Sequence, residues 1–261
     1  MIRRGIGVQS FVSAGVSNDA DAQAFITAAG ITDATQQSAI NTLVTDLKGY
    51  GIWTKMKAIY PFVGGTSTTH KWNLKDPRDL DAAFRLVFNG GWTHSNTGAL
   101  PGGVNGNANT FLNASGNLST SSAHLSNYLG TADTNSGIII GTGNLSCYVQ
   151  RTSSAIEGSL ATTSVSAVSN SNTAAFYLLF RPNNTQQKFQ KNGSIILTDS
   201  KNSSSYTSAN IYIASYGNSG FWSNARFQFT SIGDGLTDTE AANLYTAVQA
   251  YQTTLNRQIA S

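Results

Sequence analysis

The spacing of apolar and polar positions divides the chain into three stretches. Residues 1–16 are mixed and punctuated by glycine, as an extended arm would be. From Ser17 the spacing becomes helical. Ser17 or Asn18 can cap a short helix with an apolar face of Ala24, Phe25 and Ala28, stopped by Gly30. Thr32 or Asp33 caps a second helix, in which Ala39, Ile40, Leu43, Val44 and Leu47 recur at three- and four-residue steps until Gly49 and Gly51 end it. Two short amphipathic helices cannot bury their stripes alone, so they must pack on the rest of the chain or on another chain. The resulting division is an arm over 1–16, a helical attachment or oligomerisation segment over 17–57, and a β-domain over 58–261 that ends in a helix.

Residues 52–62 are dense in aromatic and basic side chains (Trp53, Lys55, Met56, Lys57, Tyr60) and read as the junction that docks the helices on the β-domain. A strand over 84–88 leads into the turn signal Asn89-Gly90-Gly91. Residues 95–120 are mostly Asn, Gly, Ser and Thr, which fits one long exposed loop or two short strands with long connections. Beyond them the strand signals become regular, over 124–129, 137–141, 145–151, 155–160, 174–181, 186–190, 194–198, 211–216 and 225–232. That spacing favours a sandwich over an α/β fold. Lys191-Asn192-Gly193-Ser194 is the clearest hairpin, because Asn-Gly supplies the two positive-φ residues of a type I′ turn. Near the end, Thr237 to Glu240 fits a capping box, Leu236 can staple onto Ala241, and Ala241, Leu244, Tyr245, Val248, Tyr251 and Leu255 share one helix face.

Composition agrees with a mainly β chain. Charged residues are only 11%, less than half the usual share, and Ser, Thr, Asn and 25 Gly take their place. A net charge of +3 gives no field for nucleic acid or an anionic membrane. The basic residues between Lys48 and Arg85 are diluted by Asp76, Asp79 and Asp81 and read as a solvated face. The longest apolar run, 174–180, is too short to span a bilayer. The start has no signal-peptide pattern and Cys147 is the lone cysteine, so the expectation is a protein made in a reducing cytoplasm without an internal disulfide.

Candidate chemistry is sparse. Glycoside hydrolysis needs an acid and a second carboxylate flanking the bond. The chain has two glutamates, Glu157 and Glu240, far apart in sequence, and Glu240 is already explained by its cap. His70, His94, His124 and Cys147 do not fall at metal-ligand spacing. No nucleophile elbow, P-loop or zincin motif occurs. Asp76, Asp79 and Asp81 could bind calcium, though a turn followed by a helical turn over 80–85 is the plainer account. No other cofactor is expected. The groups that could carry binding are the rings Trp92 with His94, and Tyr216 with Phe221 and Trp222, each beside Gly-rich loops where flat rings can stack on sugar faces. Trp in a sandwich is more often core or subunit contact.

Two resemblances rest on particular residues. The strand over 174–180, the Asn-Gly hairpin over 188–197, the strand over 211–216 and the run Arg226-Phe227-Gln228-Phe229-Thr230-Ser231-Ile232-Gly233 before Leu236-Thr237-Asp238-Thr239-Glu240-Ala241 resemble the closing half of concanavalin A-like, laminin-G-like sandwiches. This likeness covers roughly 174–250 well, and 84–170 only by strand density. It implies a two-sheet antiparallel sandwich, a jelly roll, with an N-terminal helical segment and a C-terminal capped helix. Residues 53–65, 71–79 and 232–238, with the Ser/Thr/Asn/Gly-rich composition, resemble virion proteins of tailed bacteriophages. That likeness implies a non-enzymatic head or tail appendage, fibre or decoration protein, localised in the virion. Its expected partners are other virion proteins and itself, with a homotrimer as the expected assembly. A host-recognition adhesin that binds a surface glycan is the alternative, and a polysaccharide-degrading enzyme the least supported reading.

Overall fold

The computed structural model describes residues 18–151, 155–162, 166–170, 174–218 and 220–259. The arm expected over 1–16 lies outside the described residues, as does Ser17. Fifteen strands form two antiparallel sheets among the described residues. The first sheet has the order β13 (Ser194–Ser200), β12 (Gln186–Lys191), β11 (Phe176–Asn183), β6 (Ala123–Leu129), β15 (Phe227–Gly233), β4 (Gly98–Pro101), β3 (Trp92–Ser95), with β1 (Met56–Tyr60) also paired to β15. The second has the order β10 (Ser166–Ser169), β9 (Ala155–Leu160), β8 (Leu145–Arg151), β7 (Ile138–Thr142), β14 (Asn210–Ile213), β5 (Asn107–Asn113), β2 (Val87–Asn89). Two antiparallel sheets with helices before and after them make a mainly β sandwich.

Helices add a third layer. α1 (Ala20–Ala29), α2 (Ala34–Gly49) and α5 (Asp238–Thr254) cover the outward side of the first sheet, while α3 (Ser67–His70) and α4 (Ala114–Asn117) are single turns. There are accordingly two apolar cores. Tyr177 and Leu179 of β11 enter the core between the sheets, and their alternates Phe176, Leu178 and Phe180 enter the core under the helices. Burial on both faces explains why this strand reads as an unbroken apolar run instead of an alternating one.

The stripe of α2 is buried as its spacing predicts, with Ala39, Ile40, Leu43, Val44 and Leu47 all at 0% exposure, and Asp33 caps the helix by accepting from the Gln36 amide. These stripes pack on the sandwich of the same chain, so they are not exposed for neighbouring copies. α1 differs from expectation. Its cap is Asp19, which accepts from the Asp21 amide, and its buried face is Ala22, Phe25, Ile26 and Ala29. Asp19 also pairs with Lys48 of α2, and its amide donates to Asn41 Oδ1, so the cap falls one residue after Asn18 and two after Ser17. The junction contributes Trp53 to the helix-facing core and supplies β1. Of the two readings for 95–120, the strands are present: β4 and β5, preceded by β3. The expected strand over 84–88 begins only at Val87, because Phe84 takes a left-handed φ of 60° behind the 3-10 turn Asp81–Ala83. The hairpin turns on Asn192 and Gly193 at φ 46° and 83°. The C-terminal capping box is complete, with Thr237 Oγ accepting from the Glu240 amide and Glu240 Oε2 accepting from the Thr237 amide.

Candidate functional site

The connections between the sheets meet around the loop 102–106. The Gly102 amide donates to Gly91 O at 2.6 Å, and the Gly91 amide donates to Asn105 Oδ1 at 3.2 Å. On the other side of this loop Asn135 Nδ2 donates to Gly103 O at 2.6 Å. Asn224 then ties the segment 131–135 to the segment before β15, accepting from the Thr134 amide and donating to Thr134 Oγ1 at 2.7 Å. Gly103 has φ +77°, and a Cβ there would sit 3.1 Å from Asn224 Cβ, so only glycine lets these loops close together.

The two expected groups of rings lie on either side of that loop and serve different ends. Trp92 and His94 lie on edge strand β3, half-buried against Phe88 and, for Trp92, Phe227. The Trp92 indole N–H is shared between Asn89 O and Asn107 O at 3.0 and 3.2 Å. His94 is bonded through Nδ1 to Nδ1 of His70 at 2.9 Å. Burial holds His94 below the ordinary imidazole range. His70 is pushed down to about 3 by burial first, then by His94 and the Arg257 guanidinium. These two residues are therefore tied into packing.

Across the loop, Trp222 is half-buried, and its neighbour Phe221 is the exposed ring, at 56%. Phe221 has a left-handed φ of 51°, and its carbonyl accepts from the Ile138 amide at 2.8 Å. Tyr148 of β8 and Tyr216 both meet its ring edge-on, at centroid distances of 6.1 and 6.4 Å. Tyr216 is itself anchored by its hydroxyl to Gly143 O at 2.6 Å. The bare ring, its fixed backbone and the two tyrosines that meet it together form a small platform. The sequence placed Tyr216 and Trp222 here. What it could not give was which of the adjacent rings faces outward, since that depends on the left-handed turn.

The carboxylates do not build an acid–base site. Glu240 receives Lys55 at 2.6 Å besides its cap; burial pushes its carboxyl up, but Lys55 and the capping contacts together outweigh this and hold it below the usual carboxylate range. Asp76 receives both Nε and Nη2 of Arg78, Asp79 receives Lys71, and Asp81 receives Arg85 at 2.8 Å. The Arg78 and Lys71 hydrogen bonds hold Asp76 and Asp79 below the usual carboxylate range. Each of the three aspartates thus faces a cation. Among the described residues no three His, Cys, Asp or Glu side chains gather to hold a metal.

One arrangement has the look of a nucleophile and its base. Ser231 Oγ lies 3.0 Å from His124 Nε2 and 2.6 Å from Ser126 Oγ, and His124 Nδ1 donates to Asp234 O at 2.6 Å. All three side chains are at 0% exposure, and burial lowers His124 to about 4. A substrate has no route to the hydroxyl, and the chain of bonds is a packing element between β6 and β15. Cys147 is similarly shut in, its thiol pushed up to about 12 by burial.

Fold and loops define the class as a two-sheet antiparallel β-sandwich. No family model matches the sequence, and no curated protein matches it. Among solved structures the chain is similar to domain 4 of AbnA, a GH43 extracellular arabinanase from Geobacillus stearothermophilus in complex with arabinotriose. That likeness has 11% identity and a TM-score of 0.49, over 73% of this chain and 98% of that one. It is also similar to Trypanosoma rangeli sialidase, at 9% identity and a TM-score of 0.49, covering 80% of this chain and 39% of the sialidase. For the botulinum neurotoxin serotype D binding domain the values are 10% and 0.48, over 75% and 51% of the two chains.

Proposed function

We propose that this chain is a non-enzymatic structural protein of a tailed-bacteriophage particle that presents its sandwich outward and engages a host surface glycan through the platform around Phe221. The observation that carries the binding half is the Phe221 ring, exposed at 56% yet braced by Tyr148 and Tyr216. An unstrapped exposed ring would lose conformational freedom on binding. A braced one has already lost it. The C–H face of a pyranose can lie on such a ring, while Asn135, Asn224 and Thr134, bonded to one another and to the Gly103 and Trp222 carbonyls, hold the adjoining loops in place.

The non-enzymatic half is supported by carboxylates taken up in caps and ion pairs. The particle half is supported by the resemblance of residues 53–65, 71–79 and 232–238 to virion proteins and by the low charge content of 11%. In this reading the chain works as a homotrimer among other virion proteins, without a cofactor, nucleic acid or membrane. The test is binding to a host-cell glycan panel with Phe221→Ala. Loss of binding at an unchanged melting temperature is expected, whereas undiminished binding, or release of new reducing ends from the glycan, overturns the reading. Light scattering should give three times the 27.6 kDa chain mass.

A further inference from the structure

A second concavity lies on the helical side of the molecule. A cleft of about 190 Å³ separates the start of α2 from the end of α5, and it runs into a neighbouring hollow of about 210 Å³ beside Gly64 and Thr69. Asp33, Gln36 and Asn96 line both, so the two adjoin. Their shape depends on the Gly64-Gly65 pair, a feature of the 53–65 segment that the proposed function leaves unused. Both glycines have positive φ, and a Cβ on them would come within 2.6 Å of Thr69 and 2.5 Å of Asn96. Glycine at these two positions is what lets both lining residues close in.

The chemistry of the lining narrows the ligand. Asp33 uses Oδ1 on the Gln36 amide at 2.8 Å, which leaves Oδ2 as an acceptor. Gln36 uses Oε1 on the Gly64 amide at 2.8 Å, which leaves its NH2 as a donor. The side-chain amides of Asn96 and Asn256 hydrogen-bond to no other described group, so each brings a donor and an acceptor. Leu255, half-buried, supplies apolar surface among these polar groups, over buried Val63. No Lys, Arg or His lines the site. Mixed donors and acceptors around apolar surface, with a carboxylate and no cation, suit neutral hydroxylated rings and disfavour anions. We infer that this cleft binds one neutral sugar residue, independently of the Phe221 platform. The inference shares with the proposed function only the premise that the protein meets sugars.

The experiment is ligand-observed NMR on the full chain with the methyl glycosides of glucose, galactose and N-acetylglucosamine, with glucuronate as the anionic control. Two variants remove lining groups without disturbing the backbone. Asp33→Asn keeps a good helix cap, and Asn256→Gly places glycine at a φ of 52° that glycine adopts freely. Each should weaken binding of a neutral glycoside by about tenfold, the equivalent of one lost hydrogen bond. Phe221→Ala should leave that binding intact, and glucuronate should not compete. If none of the three glycosides engages the wild-type chain, or if both cleft variants bind as the wild type does, the inference is overturned. Binding lost only in Phe221→Ala would overturn it as well while leaving the proposed function standing.

Discussion

Lowering the pH loads His124 in a way that can be sized. The imidazole is at 0% exposure, donates from Nδ1 to Asp234 O and accepts at Nε2 from Ser231, so the fold holds the neutral ring. Burial takes it from 6.5 in the open chain to about 4. The folded value lies below the unfolded one, so between these two pH values the unfolded chain binds more protons. The stabilisation is therefore complete above 6.5, is lost as the pH falls, and is exhausted near 4. One proton per histidine gives a slope of about 1.4 kcal/mol per pH unit, or about 3 kcal/mol over the window, a large part of an ordinary folding free energy. His70, lowered to about 3, acts in the same direction, so the whole protein should be acid-sensitive. His124→Gln separates the two, since an amide can still donate to Asp234 O and accept from Ser231 without gaining a proton. Urea unfolding at several pH values between about 7 and 4 should show a slope shallower by about 1.4 kcal/mol per unit in the variant. Parallel slopes for variant and wild type would refute the reasoning, because His124 would then be charging in the fold or contributing nothing.

Three further outcomes are expected. Leu43→Ala, at a position with 0% exposure under the helical layer, should cost about 2–5 kcal/mol in denaturant unfolding, and deletion of residues 18–49 should leave an insoluble product instead of a folded sandwich. Thr237→Ala should cost about 1 kcal/mol through the lost cap of α5, measured as a lower urea midpoint with an unchanged m-value. Cys147 should resist a maleimide in the native state and react once unfolded, while rapid native labelling would mean that the second sheet opens readily.

Local signals carried much of this architecture. The α2 stripe, the Asn192-Gly193 turn and the Thr237–Glu240 box are each settled by neighbours within a few residues, and each stands as its pattern implied. What the pattern could not give depends on distant residues. The start of α1 coincides with the contacts of Asp19 to Lys48 and Asn41, and β1 is a strand because residues 56–60 find β15 almost at the other end of the chain. Short β10 has four residues and no apolar alternation of its own, so it reads as loop until β9 supplies its partner. The aromatic candidates show the same limit. Residue type placed rings in loops, but Trp92 and His94 turn to Phe88 and His70, and only the backbone at Phe221 decides which ring faces solvent.

The pairing of early helices with late strands also sets an order of events during synthesis. The apolar faces of α1 and α2 rest on β11, β15 and α5, the latest of which emerge roughly 180 residues after α2, a delay of roughly 10–40 s at ordinary elongation rates. Throughout that interval the nascent chain presents two greasy helices with nothing native to cover them. Production should therefore depend on holdase capacity near the ribosome, and a circular permutant that moves the helical pair behind α5 should give more soluble protein without being any more stable once folded.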